Sequence, residues 1–102
     1  MSSRILLVED DPDVRFVMEH VLIDTGYEVD VIGTMIGGAE LLACGSYDLV
    51  IADGRLPDGN GMAVADKARE AGVKALIITG YALSLPARPS ELIEVVKRMI
   101  GD

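Results

Sequence analysis

The stretch ILLVEDDP, residues 5–12, decides the fold. Four apolar residues in succession, Ile5 to Val8, suit a strand buried on both faces rather than one that alternates between core and water. The run then stops at three adjacent acids, Glu9, Asp10 and Asp11. Burying one unpaired carboxylate is costly and neighbouring carboxylates repel one another, so this tip calls for a positive partner. Asp11 and Pro12 also make a helix start, with a side-chain oxygen at the N-cap and proline at the first helical position. Asp11 is therefore read as a cap rather than a ligand.

Working outward, Val14, Val17, Met18, Val21 and Leu22 recur at helical spacing and form one apolar stripe, closed by Gly26. YEVDVI (27–32) alternates as an edge strand does. Met35, Ala39, Leu42 and Ala43 mark a second helix that ends before CGSYD (44–48). LVIA (49–52) is a second fully apolar strand; it runs into Asp53 and the turn-rich GRLPDGNG (54–61). A third helix is expected over Met62 to Ala71, and ALII (75–78) is a strand ending at Thr79 and Gly80. Leu92, Val95, Val96 and Met99 mark the last helix. Strands alternating with helices predict an α/β domain with a parallel sheet. In such sheets ligands bind beyond the carboxyl ends of the strands, which brings Glu9, Asp10, Asp53 and Thr79 to one crevice.

The totals narrow the functions. The chain has 102 residues, half of them apolar, enough for one domain, residues 1–102, with its own core. A formal net charge of −8 disfavours nucleic acids and anionic membranes and suits a cation or a basic protein surface. Cys44 is the single cysteine, so no internal disulfide forms; it is read as a half-buried helix residue. The first apolar run is too short for a secretory signal, and nothing approaches the roughly 20 apolar residues of a membrane span. A cytoplasmic location is expected.

Clustered carboxylates are hard oxygen ligands of the kind Mg2+ takes. A strand-end aspartate in a glycine-flanked loop, as Asp53 is, can act as a nucleophile and form an acyl phosphate. Phosphoryl transfer needs positioning and charge neutralisation, for which Thr79 and Arg88 offer a hydroxyl and a cation.

ILLVEDDP, DLVIADGRLPDGNG (48–61), ALIITG (75–80) and ARPSEL (87–92), in this order, resemble the CheY-like receiver domains of two-component response regulators. The resemblance covers nearly the whole chain. It implies a flavodoxin-like doubly wound parallel sheet of strand order 2-1-3-4-5. It further implies that Asp53 accepts a phosphoryl group from the phosphohistidine of a sensor histidine kinase or phosphotransfer protein. Asp10 and Asp53 would ligate Mg2+ directly, Glu9 largely through water, and Arg55 by its backbone carbonyl. Thr79 would bond the transferred phosphoryl group, and Pro57 and Gly61 match the turn after the phosphoacceptor. With no output segment after Asp102, the expected form is a stand-alone switch whose output is contact with a downstream protein, not turnover as an enzyme.

Two departures stand out. Arg88 occupies the place of the family's lysine before proline and Leu85 that of its aromatic switch; arginine keeps the charge but is a bulkier, planar donor. Tyr81 is a weaker candidate for the missing aromatic. Only Gly80 to Ala87 separate Thr79 from Arg88, too few for the family's fourth helix and a full fifth strand, so the chain is expected to be truncated there, with LSLP (83–86) a strand remnant. Loss of cover near Ile77 and Ile78 predicts a homodimer. The alternative function is a degenerate receiver serving as a phosphorylation-independent interaction module. Haloacid-dehalogenase-type phosphatases need a second acid where Arg55 stands, and flavodoxins need a phosphate cradle where this chain is anionic. Asp58 is read as turn chemistry with Gly59 and Asn60, and His20 as solvent-facing.

Overall fold

The computed structural model describes residues 3–78 and 89–101. Thr79, Tyr81, Leu85, Arg88 and the LSLP segment lie outside them, so the expectations placed on those residues have no structural counterpart here. Four strands, β1 (Arg4–Val8), β2 (Glu28–Ile32), β3 (Leu49–Asp53) and β4 (Lys74–Ile78), alternate with α1 (Pro12–Thr25), α2 (Met35–Cys44), α3 (Gly61–Glu70) and α4 (Pro89–Ile100). All strand pairs are parallel, in the order β2-β1-β3-β4. This is the doubly wound arrangement expected from the sequence, with four strands among the described residues.

The apolar runs of β1 and β3 are continuous because these two strands are central and covered on both faces. Successive side chains of a strand point to opposite sides. Ile5, Leu7, Leu49 and Ile51 accordingly join Val14, Met18 and Leu22 of α1 and Leu92 and Val96 of α4 in one core. Leu6, Val8, Val50 and Ala52 join Leu42 of α2 and Val64 and Ala68 of α3 in the other. β2 is an edge strand, with Glu28 exposed and the rest half-buried, as its alternation implies. Leu76, Ile77 and Ile78 of β4 are also only half-buried.

Helix starts follow the local chemistry. The Asp11 carboxylate accepts from the N–H groups of Asp13 and Val14 at 2.9 and 3.2 Å, and Pro12 occupies the first turn. A cap of this kind contributes about 1 kcal/mol. Gly26 ends α1 in the left-handed conformation, φ 111°, where a side chain would be strained.

Three details differ from the sequence reading. The buried stripe of α1 is Val14, Met18 and Leu22; Val17 turns outward. On α2 the inward line runs through Gly38 and Leu42, so Ala43 faces solvent, and Cys44, a helix residue as expected, is exposed rather than half-buried. A glycine on an inward face adds nothing to an apolar count, which is why periodicity favours Ala43 over Gly38. His20 is exposed, as expected, and stacks on Phe16 with ring centroids 6.3 Å apart.

At the amino end of the sheet the charges are paired. Arg4 lies 3.5 Å from Asp30 and covers the Tyr47 ring. Tyr47 donates to Asp30 at 2.8 Å, and the Asp48 carboxylate accepts from the Arg4 N–H at 2.8 Å. Burial, and then the Asp30 carboxylate, push the Tyr47 phenol up to about 12. No helix among the described residues is long and apolar enough to cross a membrane.

Candidate functional site

The carboxyl end of the sheet carries the opposite arrangement, with acids left together. β1 and β3 pair with Val8 opposite Ala52, so the chain positions that follow, Glu9 and Asp53, emerge side by side. The Glu9 N–H donates to the Ile32 carbonyl at 2.9 Å, extending the β1–β2 ladder one residue and fixing Glu9 at the strand tip. Asp10 follows it, exposed. Glu9, Asp10 and Asp53 each present a carboxylate oxygen, all within 4.8 Å of one another.

Glu9 is the buried member, with 4% of its surface exposed. Its Oε1 accepts from the Asp11 N–H at 3.1 Å. Burial pushes its carboxyl up to about 7; the Asp11 N–H opposes this, while a hydrogen bond and the charge of Asp53, and then Asp10, add to it. The site thus tends to retain a proton on Glu9 where no cation balances the acids. Asp53 is half-buried, and its Oδ1 accepts from the Arg55 N–H at 3.0 Å. The Arg55 side chain is exposed.

The loop after Asp53 is held at both ends. The Gly54 N–H donates to the Ile78 carbonyl at 2.9 Å, so the chain immediately before Thr79 runs beside the residue after Asp53. Leu56 and Gly59 exchange two backbone hydrogen bonds, at 3.1 and 3.2 Å, and Leu56 is buried in the second core. At the start of α3, a Cβ on Gly61 would overlap the Asp53 carbonyl oxygen and meet Ala52 Cβ at 3.3 Å. Only glycine lets the helix begin this close to the strand end.

Asp58 sits in the turn that its sequence predicts, and the structure gives it a second role. Its Oδ1 and Oδ2 accept from the N–H groups of Met35 and Ile36, at 2.7 and 3.0 Å, capping α2 from a loop more than twenty residues away. Those two bonds hold the Asp58 carboxyl below the usual carboxylate range. Thr34 Oγ1 takes the next amide, that of Gly37, at 3.0 Å. No local pattern marks such a contact, because Pro57-Asp58-Gly59 reads as a turn whether or not a helix end lies opposite.

Three carboxylates converging at the tips of central strands, one of them buried, form a hard oxygen donor set that fits Mg2+. Comparison with known proteins places the arrangement: the response regulator receiver domain profile matches residues 5–95. The chain belongs to the response regulator receiver domain family. This receiver is 39% identical over 75 residues to the transcriptional regulatory protein DltR of Streptococcus agalactiae serotype III (strain NEM316), a match covering 74% of the receiver and 34% of DltR. It is 32% identical over 81 residues to TorR of Escherichia coli (strain K12), covering 78% and 35% of the two chains. The match therefore spans about a third of these relatives' length.

Among solved structures, the receiver superposes on a CheY-like receiver domain protein from Methanospirillum hungatei JF-1 with a TM-score of 0.88 and 27% identity, over 99% of this chain and 95% of that one. TrrA of Thermotoga maritima, solved in complex with Mg2+-BeF, gives a TM-score of 0.81 and 29% identity, over 95% and 98% of the two chains.

Proposed function

We propose that this receiver is a phosphoacceptor switch. Asp53 takes a phosphoryl group from the phosphohistidine of a sensor histidine kinase or phosphotransfer protein, in a reaction that depends on Mg2+, and the change is passed on by contact with a downstream protein. The observation that carries this reading is the convergence of the Glu9, Asp10 and Asp53 carboxylates within 4.8 Å. The Mg2+-BeF complex of the TrrA neighbour supports the same use of a similar cleft.

In the step itself, an Asp53 carboxylate oxygen forms a bond to phosphorus as the phosphorus–nitrogen bond to the donor imidazole breaks. The bonding pair leaves with the imidazole, which picks up a proton from solvent. Asp10 and Asp53 would hold Mg2+ directly, Glu9 through water and Arg55 by its carbonyl. Bound there, the ion supplies charge neutralisation for the phosphoryl oxygens. The Arg55 N–H orients the Asp53 carboxylate, and the Gly61 contact fixes the backbone beneath it. Thr79 and Arg88, both outside the described residues, are assigned the capture of a phosphoryl oxygen and the positive charge beside it. The half-buried Ile77 and Ile78 of β4 support the further proposal of a homodimer covering that face of the sheet.

Incubation with Mg2+ and acetyl phosphate followed by intact-mass measurement tests the reading. Wild type gains one phosphate, Asp53→Asn gains none, and Asp10→Asn reacts more slowly. Wild type left unmodified would favour the second reading, a receiver that works as an interaction module without phosphorylation, for which Arg88 and Leu85 in place of the usual lysine and aromatic are the motivating residues.

A further inference from the structure

We propose that Asp58 is a positioning residue for the acidic cleft, and that through it the cleft and the first turn of α2 share one equilibrium. The inference rests on the phosphoacceptor reading and adds to it a route into α2. The segment 54–60 forms a strap held at three places. One end is tied to the cleft, by the Arg55 N–H on Asp53 Oδ1 and the Gly54 N–H on the Ile78 carbonyl. The middle is locked by the paired Leu56 and Gly59 backbones and by the buried Leu56 side chain. The tip of that turn, between Leu56 and Gly59, is tied to α2 by both carboxylate oxygens of Asp58.

A turn locked by its own backbone pair does not let its tip move independently of the cleft end. A cation that engages the Asp53 carboxylate and the Arg55 carbonyl fixes the cleft end, and the tip of the turn is then fixed on the Met35 and Ile36 amides. The reverse also holds, because coupling between two sites is reciprocal in free energy. Without Asp58 the strap must be ordered by the cation alone, and binding weakens. The element that feels the change is the start of α2, where Ile36 is 59% exposed; Met62, 51% exposed, is the second residue of α3, which begins directly after the strap.

The test uses Mg2+ alone as the probe. Its affinity is measured calorimetrically for wild type, Asp58→Ala and Thr34→Ala, and amide hydrogen exchange is followed at Met35 and Ile36 with and without the ion. Thr34→Ala removes the other cap of α2 but leaves the strap intact, so it controls for mere loss of helix stability. Asp58→Ala is expected to weaken Mg2+ by about fivefold, at the lower end of couplings between sites. Thr34→Ala is expected to leave the affinity unchanged, and Mg2+ to slow exchange at Met35 and Ile36 in wild type. Equal affinity in Asp58→Ala and wild type, or an equal loss in both variants, would overturn the inference. Should Asp58→Ala fail to fold, exchange rates in wild type decide alone, and rates indifferent to Mg2+ overturn it. Wild type that takes up no Mg2+ at all sinks the phosphoacceptor reading and this inference with it, an outcome distinct from uptake without coupling.

Discussion

Glu9 is the residue at which burial and repulsion are both felt, and its titration has a definite sign. Its carboxyl is pushed up from 4.5 to about 7 in the folded chain. Between those values the folded state binds more protons than the unfolded state, so this group's contribution falls as pH rises through the interval. Metal-free protein should therefore lose stability from pH 5 to pH 7 through Glu9, and Glu9→Gln should flatten that part of the profile in urea unfolding. A profile unchanged by the substitution would remove Glu9 as the cause. Mg2+ favours the ionised form, so its uptake should release protons below about pH 7 and weaken as pH falls. Calorimetry in buffers of different ionisation enthalpy reads that release directly.

At the scale of elements, the junction of β3 with α3 is the most constrained. Gly61→Ala places a methyl group against the Asp53 carbonyl, and the backbone must move to admit it. A loss of about 1–3 kcal/mol in chemical unfolding is expected, as for other overpacked sites, together with weaker Mg2+ binding. Full stability in the alanine variant would mean that the close approach is not required. The strands, the Asp11 cap and the convergence of Glu9, Asp10 and Asp53 were all legible in the sequence because each follows from short-range rules: apolar runs, a cap followed by proline, acids at strand tips. The inward face of α2 was not, since Gly38 contributes by the absence of a side chain. Nor was the grip of Asp58 on α2, which depends on a loop meeting a distant helix end in space. Thr79 and Arg88, named from the motif order, lie outside the described residues and are carried by that order alone.

For the whole molecule the balance of charge matters most. The two ends of the sheet differ: Arg4, Asp30, Tyr47 and Asp48 satisfy one another at the amino end, while the carboxyl end gathers Glu9, Asp10 and Asp53. A net charge of −8 opposes self-association through repulsion, so a homodimer at the sheet face near Ile77 and Ile78 must gain enough from apolar contact to exceed it. Light scattering at tens of micromolar and moderate salt should give the mass of two chains; the mass of one chain at every salt concentration would reject the dimer.

The division of β1 and β3 between two cores has a practical consequence for anyone redesigning this chain. Inside these strands length is a harder constraint than composition. Exchanging one branched aliphatic for another leaves each side of the sheet supplied, whereas inserting or deleting a single residue before Val8 or Ala52 would send every side chain upstream to the wrong layer or throw Glu9 and Asp53 out of step. Variation in length is tolerable in the connections, and the tips of the two central strands have to be kept in phase.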